Sequence, residues 1–238
     1  MMAKFQQRLI LEKMNRRLLI VVAHPDDEVL GCFGTVSKMI CKGWKASTLV
    51  LCKGKMSRGV VDEQEVIDLR KEMYEANKAI GIEDVVQASF PDNAFDKVPL
   101  LDIIKLIEKE KRRCQPDIIF THYANDLNID HQITYRAVLT ATRPLQTETV
   151  KEIYSMEIPS STEWNAFSQR TIFAPNVFSD ISTTIDLKLK AMSFYKSELR
   201  AYPHPRSLRH IRELARVNGT KVGLEYSENF ILTRKIYA

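Results

Sequence analysis

At 238 residues, with 35 Lys and Arg against 30 Asp and Glu, the chain is long enough to bury a full core and carries a mild net charge of +5. Acidic and basic residues interleave, as in Glu108-Lys109-Glu110-Lys111-Arg112-Arg113, and no basic stripe with intervening aromatics marks a nucleic-acid surface. No apolar run approaches the ~18 residues of a membrane span, and the stretch from Phe5 to Leu11 is broken by Gln6, Gln7 and Arg8, so neither a span nor a secretory leader is expected.

The run Leu18-Leu19-Ile20-Val21-Val22-Ala23 is continuously apolar and partly β-branched, which predicts a strand buried on both faces. A helix over 31–42 follows and stops at Gly43, then a second strand over 46–51. After a loop holding Gly54 and Gly59, the pattern predicts a helix over 62–80 with Gly81 as its stop. A short strand over 85–88 precedes a helix over 100–113, whose apolar positions include Leu101, Ile104, Leu106 and Ile107. A fourth strand is expected over 117–121 and a helix over 131–142, closed by Pro144. This alternation predicts an α/β fold, a Rossmann-like and mostly parallel sheet with helices on both faces.

Beyond Pro144, strands are expected over 153–158, 177–181 and 230–236, and a helix over 186–199. The basic, loop-rich stretch 201–223 is expected to cap a pocket. Nothing has linker composition, so the expectation is one domain over 1–238, with a core over about 16–145 and a sheet extension and cap over about 146–238. Cys32, Cys41, Cys52 and Cys114 lack C-x-x-C spacing and sit in apolar segments, which predicts buried free thiols and a cytoplasmic setting. Monomer and homo-oligomer are both compatible with these features.

The chemistry is concentrated at two expected strand ends. His24-Pro25-Asp26-Asp27-Glu28 follows the first strand, and His122-Tyr123-Ala124-Asn125-Asp126-Leu127-Asn128-Ile129-Asp130-His131 follows the fourth. In an open α/β sheet, ligands bind at the carboxyl ends of the strands, so both clusters should face one crevice. A metal needing three protein ligands could take His24, Asp27 and His131, leaving one position open for water as catalytic zinc requires. Asp26 and Asp27 are neighbours whose side chains diverge, so only one need point at the ion and the other could hold a proton. Asp130 could orient a ligand from outside the coordination sphere. The plainer alternative is that Asp26 or Asp27 only caps the following helix.

Ala23-His24-Pro25-Asp26-Asp27-Glu28 resembles the signature of the PIG-L/LmbE-like family, zinc-dependent deacetylases of N-acetylated sugars. The resemblance continues through Glu72-x-x-x-Ala76, Ile80-Gly81-Ile82, Pro116-Asp117, Asp126-Leu127-Asn128-x-Asp130-His131, and Tyr226-Ser227-Glu228-Asn229-Phe230 with Arg234. It implies His24, Asp27 and His131 as ligands of zinc or ferrous iron, and Asp26 as general base. Where the family often has a histidine to stabilise the oxyanion, this chain has Asn128, which can donate a hydrogen bond but cannot protonate the leaving amine. His122 is the nearest imidazole that could compensate, and protonated Asp26 is the other source. Arg58 resembles a family position that contacts substrate, with a solvated loop residue as its alternative reading. Asp92, in Phe90-Pro91-Asp92-Asn93, could bind sugar hydroxyls or simply form a turn. Glu28 could cap the following helix, and Trp164 and Tyr202 could stack on a sugar ring or pack in the core or lid. The expected substrate is an N-acetylglucosamine-type conjugate, and the rival readings are another metal-dependent hydrolase or transferase, or a sugar-binding module without turnover.

Overall fold

Strand β1 (Arg17–Val22) is an inner strand of the sheet, apolar and buried on both faces. The computed structural model describes residues 16–55, 62–165 and 172–237. The other strands are β2 (Lys45–Cys52), β3 (Asp84–Phe90), β4 (Ile118–Thr121), β5 (Glu152–Met156), β6 (Val177–Asp180) and β7 (Ser227–Lys235), in the spatial order β3-β2-β1-β4-β5-β7-β6. Strands β1 to β5 pair in parallel, and β7 runs antiparallel to both β5 and β6.

Side chains along β1 alternate between two packed layers. Leu18, Ile20 and Val22 join Val29, Phe33 and Val36 of helix α1 (Asp27–Cys41) and Leu69 and Met73 of α2 (Glu63–Ala79). Met192 of α5 (Ile185–Phe194) and Ile211 of α6 (Leu208–Thr220) complete that layer. Leu19, Val21 and Ala23 face Ile103 and Ile107 of α3 (Leu100–Cys114) and Val138 of α4 (Ile129–Ala141). Helices therefore cover both faces, and the all-apolar character of β1 follows.

The chain winds from β1 outward through β2 to β3, then returns to place β4 on the other side of β1. The winding reverses between β1 and β4, so the loops after these two strands diverge around a crevice, the usual ligand position in such sheets. Leu18 lies opposite Ile118 and Ile20 opposite Phe120, which brings those loops out side by side.

Several boundaries differ from expectation. Helix α1 starts at Asp27 rather than at residue 31, because the Asp26 backbone turns into the left-handed region (φ 100°) and its carbonyl accepts the Val29 and Leu30 amides, both at 3.0 Å. Helix α5 ends at Phe194, well short of residue 199, as the chain turns to bury Tyr195 completely. The stretch 201–223 is not mainly loop: Ser207 caps α6 by accepting the His210 amide at 3.1 Å, and Ile211 and Ala215 give the helix a buried face. Cys41 is exposed at the end of α1, while Cys32, Cys52 and Cys114 are buried, and all four are free thiols. Among the described residues, no helix is long and apolar enough to cross a membrane.

A buried ion pair fastens α1 to the C-terminal part. Lys188 on α5 meets Glu228 on β7 at 2.6 Å, with side chains only 5% and 4% exposed. Glu228 also accepts the α1 amides of Gly34 (2.9 Å) and Thr35 (2.7 Å), and Lys188 donates to the Leu30 carbonyl at 2.7 Å. Removing one member of such a pair strands the other charge in a dry interior. Lys188→Met is expected to lower unfolding free energy by about 3–5 kcal/mol. Urea denaturation checks this, and an unchanged midpoint would contradict it.

Candidate metal centre

The loop after β1 folds tightly around Asp27. The His24 amide donates to Asp27 Oδ2 at 2.8 Å. His24 Nδ1 lies 3.3 Å from the same oxygen, His131 Nε2 lies 3.4 Å from it, and the two ring nitrogens are 3.1 Å apart. Three donors around one tetrahedral zinc, at bond lengths of about 2.0–2.1 Å, sit about 3.3–3.4 Å from one another. The three side chains therefore already have the mutual spacing that such an ion imposes, and together they form a candidate metal-holding group. Nitrogen and carboxylate donors of this kind suit zinc or ferrous iron better than a hard all-oxygen cation.

Each imidazole is held by a carboxylate on its other nitrogen. His24 Nε2 lies 3.1 Å from Asp130 Oδ2 and 3.5 Å from Asp92 Oδ1. His131 Nδ1 lies 3.1 Å from Asp126 Oδ1. Asp126 in turn accepts the hydroxyls of Ser161 and, at 2.6 Å, of Thr162. Such outer carboxylates set ring orientation and raise ligand basicity. Burial opposes charge on both rings, yet Asp130 and Asp27 raise His24 to about 10, and Asp27 and Asp126 raise His131 to about 9. Burial likewise works against the Asp27 carboxylate, but His131 beside it drives Asp27 well below the usual carboxylate range. The surroundings thus favour positive charge at this point, as a cation site must.

Asp26 takes a different course. As the first residue before α1 it makes no side-chain cap bond. Its left-handed backbone, costly for a residue with a Cβ, is held by its amide donating to Glu28 Oε2 at 3.1 Å. Glu28 is wholly buried and accepts from Tyr195 and, at 3.2 Å, from Asn77, so it braces the loop from below and lies outside the pocket lining. Burial raises the Glu28 pKa to about 7. Asp26 Oδ2 meets Arg206 Nη1 at 3.3 Å, and burial together with the Asp27 charge lifts its pKa well above the ordinary value, against the pull of Arg206.

These groups open into a cavity of about 240 Å³ lined by His24, Asp26, Asp27 and His131, with Asp92, Asn128 and Arg206 around them. Asn128 uses its Oδ1 to cap α4, accepting the Asp130 amide at 2.8 Å, and donates one amide hydrogen to Asn93 at 3.0 Å. Among the described residues, no partner takes its second amide hydrogen. Asp92 also lines this cavity, with Oδ1 3.5 Å from His24 Nε2.

Not every expected residue sits there. His122 is fully buried and off the cavity, stacked on His131 with ring centroids 3.8 Å apart. Its Nε2 accepts the Ala23 amide at 2.9 Å, and burial lowers its pKa to about 3. A neutral imidazole buried behind His131 and away from the cavity does not reach a molecule bound there, so the expected compensation for Asn128 does not come from His122. Asp130 lies beside His24 Nε2 at 3.1 Å, and the carboxylate beside His131 Nδ1 is Asp126. Arg58 lies outside the described residues. Arg206 and Glu198 line the cavity although no local pattern singles them out; only the expectation of a cap over 201–223 pointed toward Arg206.

Residues 19–142 match the PIG-L family, described as GlcNAc-PI de-N-acetylase. A probable N-acetyl-alpha-D-glucosaminyl L-malate deacetylase 2 of Bacillus cereus is 27% identical over 195 residues, covering 79% of this chain and 86% of that protein. The crystal structure of the conserved protein TT1542 from Thermus thermophilus superimposes with a TM-score of 0.75 at 25% identity, covering 93% of this chain and 96% of that one. The N,N'-diacetylchitobiose deacetylase of Pyrococcus horikoshii shares the fold, with a TM-score of 0.72 at 22% identity over 92% of this chain and 84% of that one. Since the family match extends over more than half of its length, this chain belongs to the PIG-L family.

Proposed function

We propose that this protein is a metal-dependent deacetylase that hydrolyses the acetamide of an N-acetylated amino sugar, releasing acetate and a free amine, with zinc held by His24, Asp27 and His131. The observation that carries this reading is the spacing of their three donor atoms, 3.1–3.4 Å, at the floor of a polar cavity beside Asp26. The family match and the N-acetylglucosaminyl malate deacetylase relative support a sugar acetamide as the bond attacked.

When bound, the ion acts as a Lewis acid toward the acyl carbonyl and the attacking water. The remaining work belongs to the chain. Asp26 accepts the proton of the water, and its raised affinity for that proton suits it to pass the proton on to the leaving nitrogen. That shuttle is needed because Asn128 has no acidic proton and His122 is buried and neutral. The second hydrogen of the Asn128 amide, without a partner among the described residues, is suited to stabilising the acyl oxygen as negative charge develops on it. Asp92 and Ser160, both lining the cavity, offer partners for sugar hydroxyls. The four free thiols are in keeping with a cytoplasmic enzyme.

Acetate release from a panel of N-acetylhexosamine conjugates is the direct test, run after chelation and after restoring zinc or ferrous ion. Activity should vanish on chelation and return with one of these ions; chelator-insensitive release would point to a different mechanism. Asp26→Asn should keep the metal while lowering kcat by about 10²–10⁴-fold, whereas near-normal turnover would remove Asp26 as the base. Asp126→Asn should leave the fold intact but weaken metal affinity by about 10–100-fold, read by competition with a zinc chelator. Unchanged affinity would mean that Asp126 has no hold on His131.

A further inference from the structure

The cap over the pocket is a short turn-rich segment between α5 and α6. His204 donates its amide to Ala201 at 3.1 Å, and Ser207 donates to His204 at 3.0 Å. The Arg206 amide donates to His204 Nδ1 at 3.0 Å, fixing the residue within the cap. From there the guanidinium enters the cavity, where Nη1 lies 2.8 Å from Glu198 Oε2 and 3.3 Å from Asp26 Oδ2. Its Nε is buried with no hydrogen-bond partner among the described residues. Leaving a guanidinium nitrogen unbonded costs free energy, so this position is set by the two carboxylates and not by satisfaction of every donor.

We infer that Arg206 is a positioning residue for Asp26, gripping Oδ2 so that the other carboxylate oxygen is presented to the attacking water. The inference rests on the deacetylase reading above. Asp26 needs such a grip because its immediate neighbours, Asp27 and Glu28, are both acidic and buried, and Glu198 faces it across the cap. Repulsion from these groups would turn its side chain away. The backbone bond to Glu28 fixes where the residue starts but leaves the side-chain torsions free. A planar guanidinium can hold two carboxylates at once in a set orientation, which a lysine ammonium does less well. The cost of a loosened base is large, since a misplacement of about 1 Å can lower a rate by about 10²-fold.

The test compares metal-loaded wild type, Arg206→Ala and Arg206→Lys on an N-acetylglucosamine conjugate, with folding checked by thermal melts and metal content by direct assay. Arg206→Ala is expected to lose about 10²-fold in kcat with KM changed by less than about threefold. Millimolar guanidinium should return about tenfold of that loss to the alanine variant and nothing to wild type; a fold defect would not respond in this way. Arg206→Lys should fall between the two. If the alanine variant does not fold, the lysine variant decides: reduced kcat at unchanged KM supports the inference, and wild-type kcat overturns it. A rise in KM at unchanged kcat, or a kcat loss that guanidinium leaves untouched, overturns it as well, the former by assigning Arg206 to substrate binding. A wild type that releases no acetate from any conjugate overturns the deacetylase reading itself, and the inference with it.

Discussion

A single carboxylate oxygen organises the site. Asp27 Oδ2 accepts the backbone amide of His24 and lies within 3.4 Å of ring nitrogens from His24, His122 and His131. It therefore ties the loop after β1 to the loop after β4, and it can do so only because these two strands are neighbours at the point where the winding of the sheet reverses. The register that puts Leu18 opposite Ile118 decides which residues emerge together at the strand ends. A slip by one residue would turn every side chain of the strand to the opposite face, and the two histidines would no longer meet.

Around this oxygen the protein concentrates charge that would be costly anywhere else. Asp26, Asp27, Glu28, Asp126 and Asp130 are all buried. Each has a specific partner: Arg206 for Asp26, the imidazoles for Asp27 and Asp130, Tyr195 for Glu28, and the hydroxyls of Ser161 and Thr162 for Asp126. The left-handed Asp26 backbone is stable only within this framework. Further along α1, the Lys188–Glu228 pair anchors the helix that carries Asp27 on its first turn. The floor of the pocket is thus held from two sides, by β4 and its loop on one and by α5 and β7 on the other.

Much of this was legible in the sequence, for a local reason. The continuous apolar run of β1, the glycine stops at Gly43 and Gly81, and the alternation of strand and helix patterns are short-range signals, and each element they predicted through residue 142 is present with shifted ends. The two polar clusters at strand ends were equally plain, and His24, Asp27 and His131 do come together. What escaped is long-range. Which ligand candidate each outer carboxylate meets, Asp130 with His24 and Asp126 with His131, depends on how the first turn of α4 faces the crevice, which spacing alone does not tell. That His122 would be buried behind His131 depends on ring stacking and on the Ala23 amide. Arg206 meets a partner 180 positions away, and its segment reads as loop because Pro203 and Pro205 obscure the helix that Ser207 starts.

The central claim is that three side chains distant along the chain form one ion site. A crystal structure of the zinc-loaded protein, with the ion located by anomalous scattering at its absorption edge, tests this most directly. The account predicts one zinc about 2.0–2.2 Å from His24 Nδ1, the Asp27 carboxylate and His131 Nε2, with a further position facing the cavity. An anomalous peak elsewhere, or none between these three atoms in fully loaded protein, would contradict it.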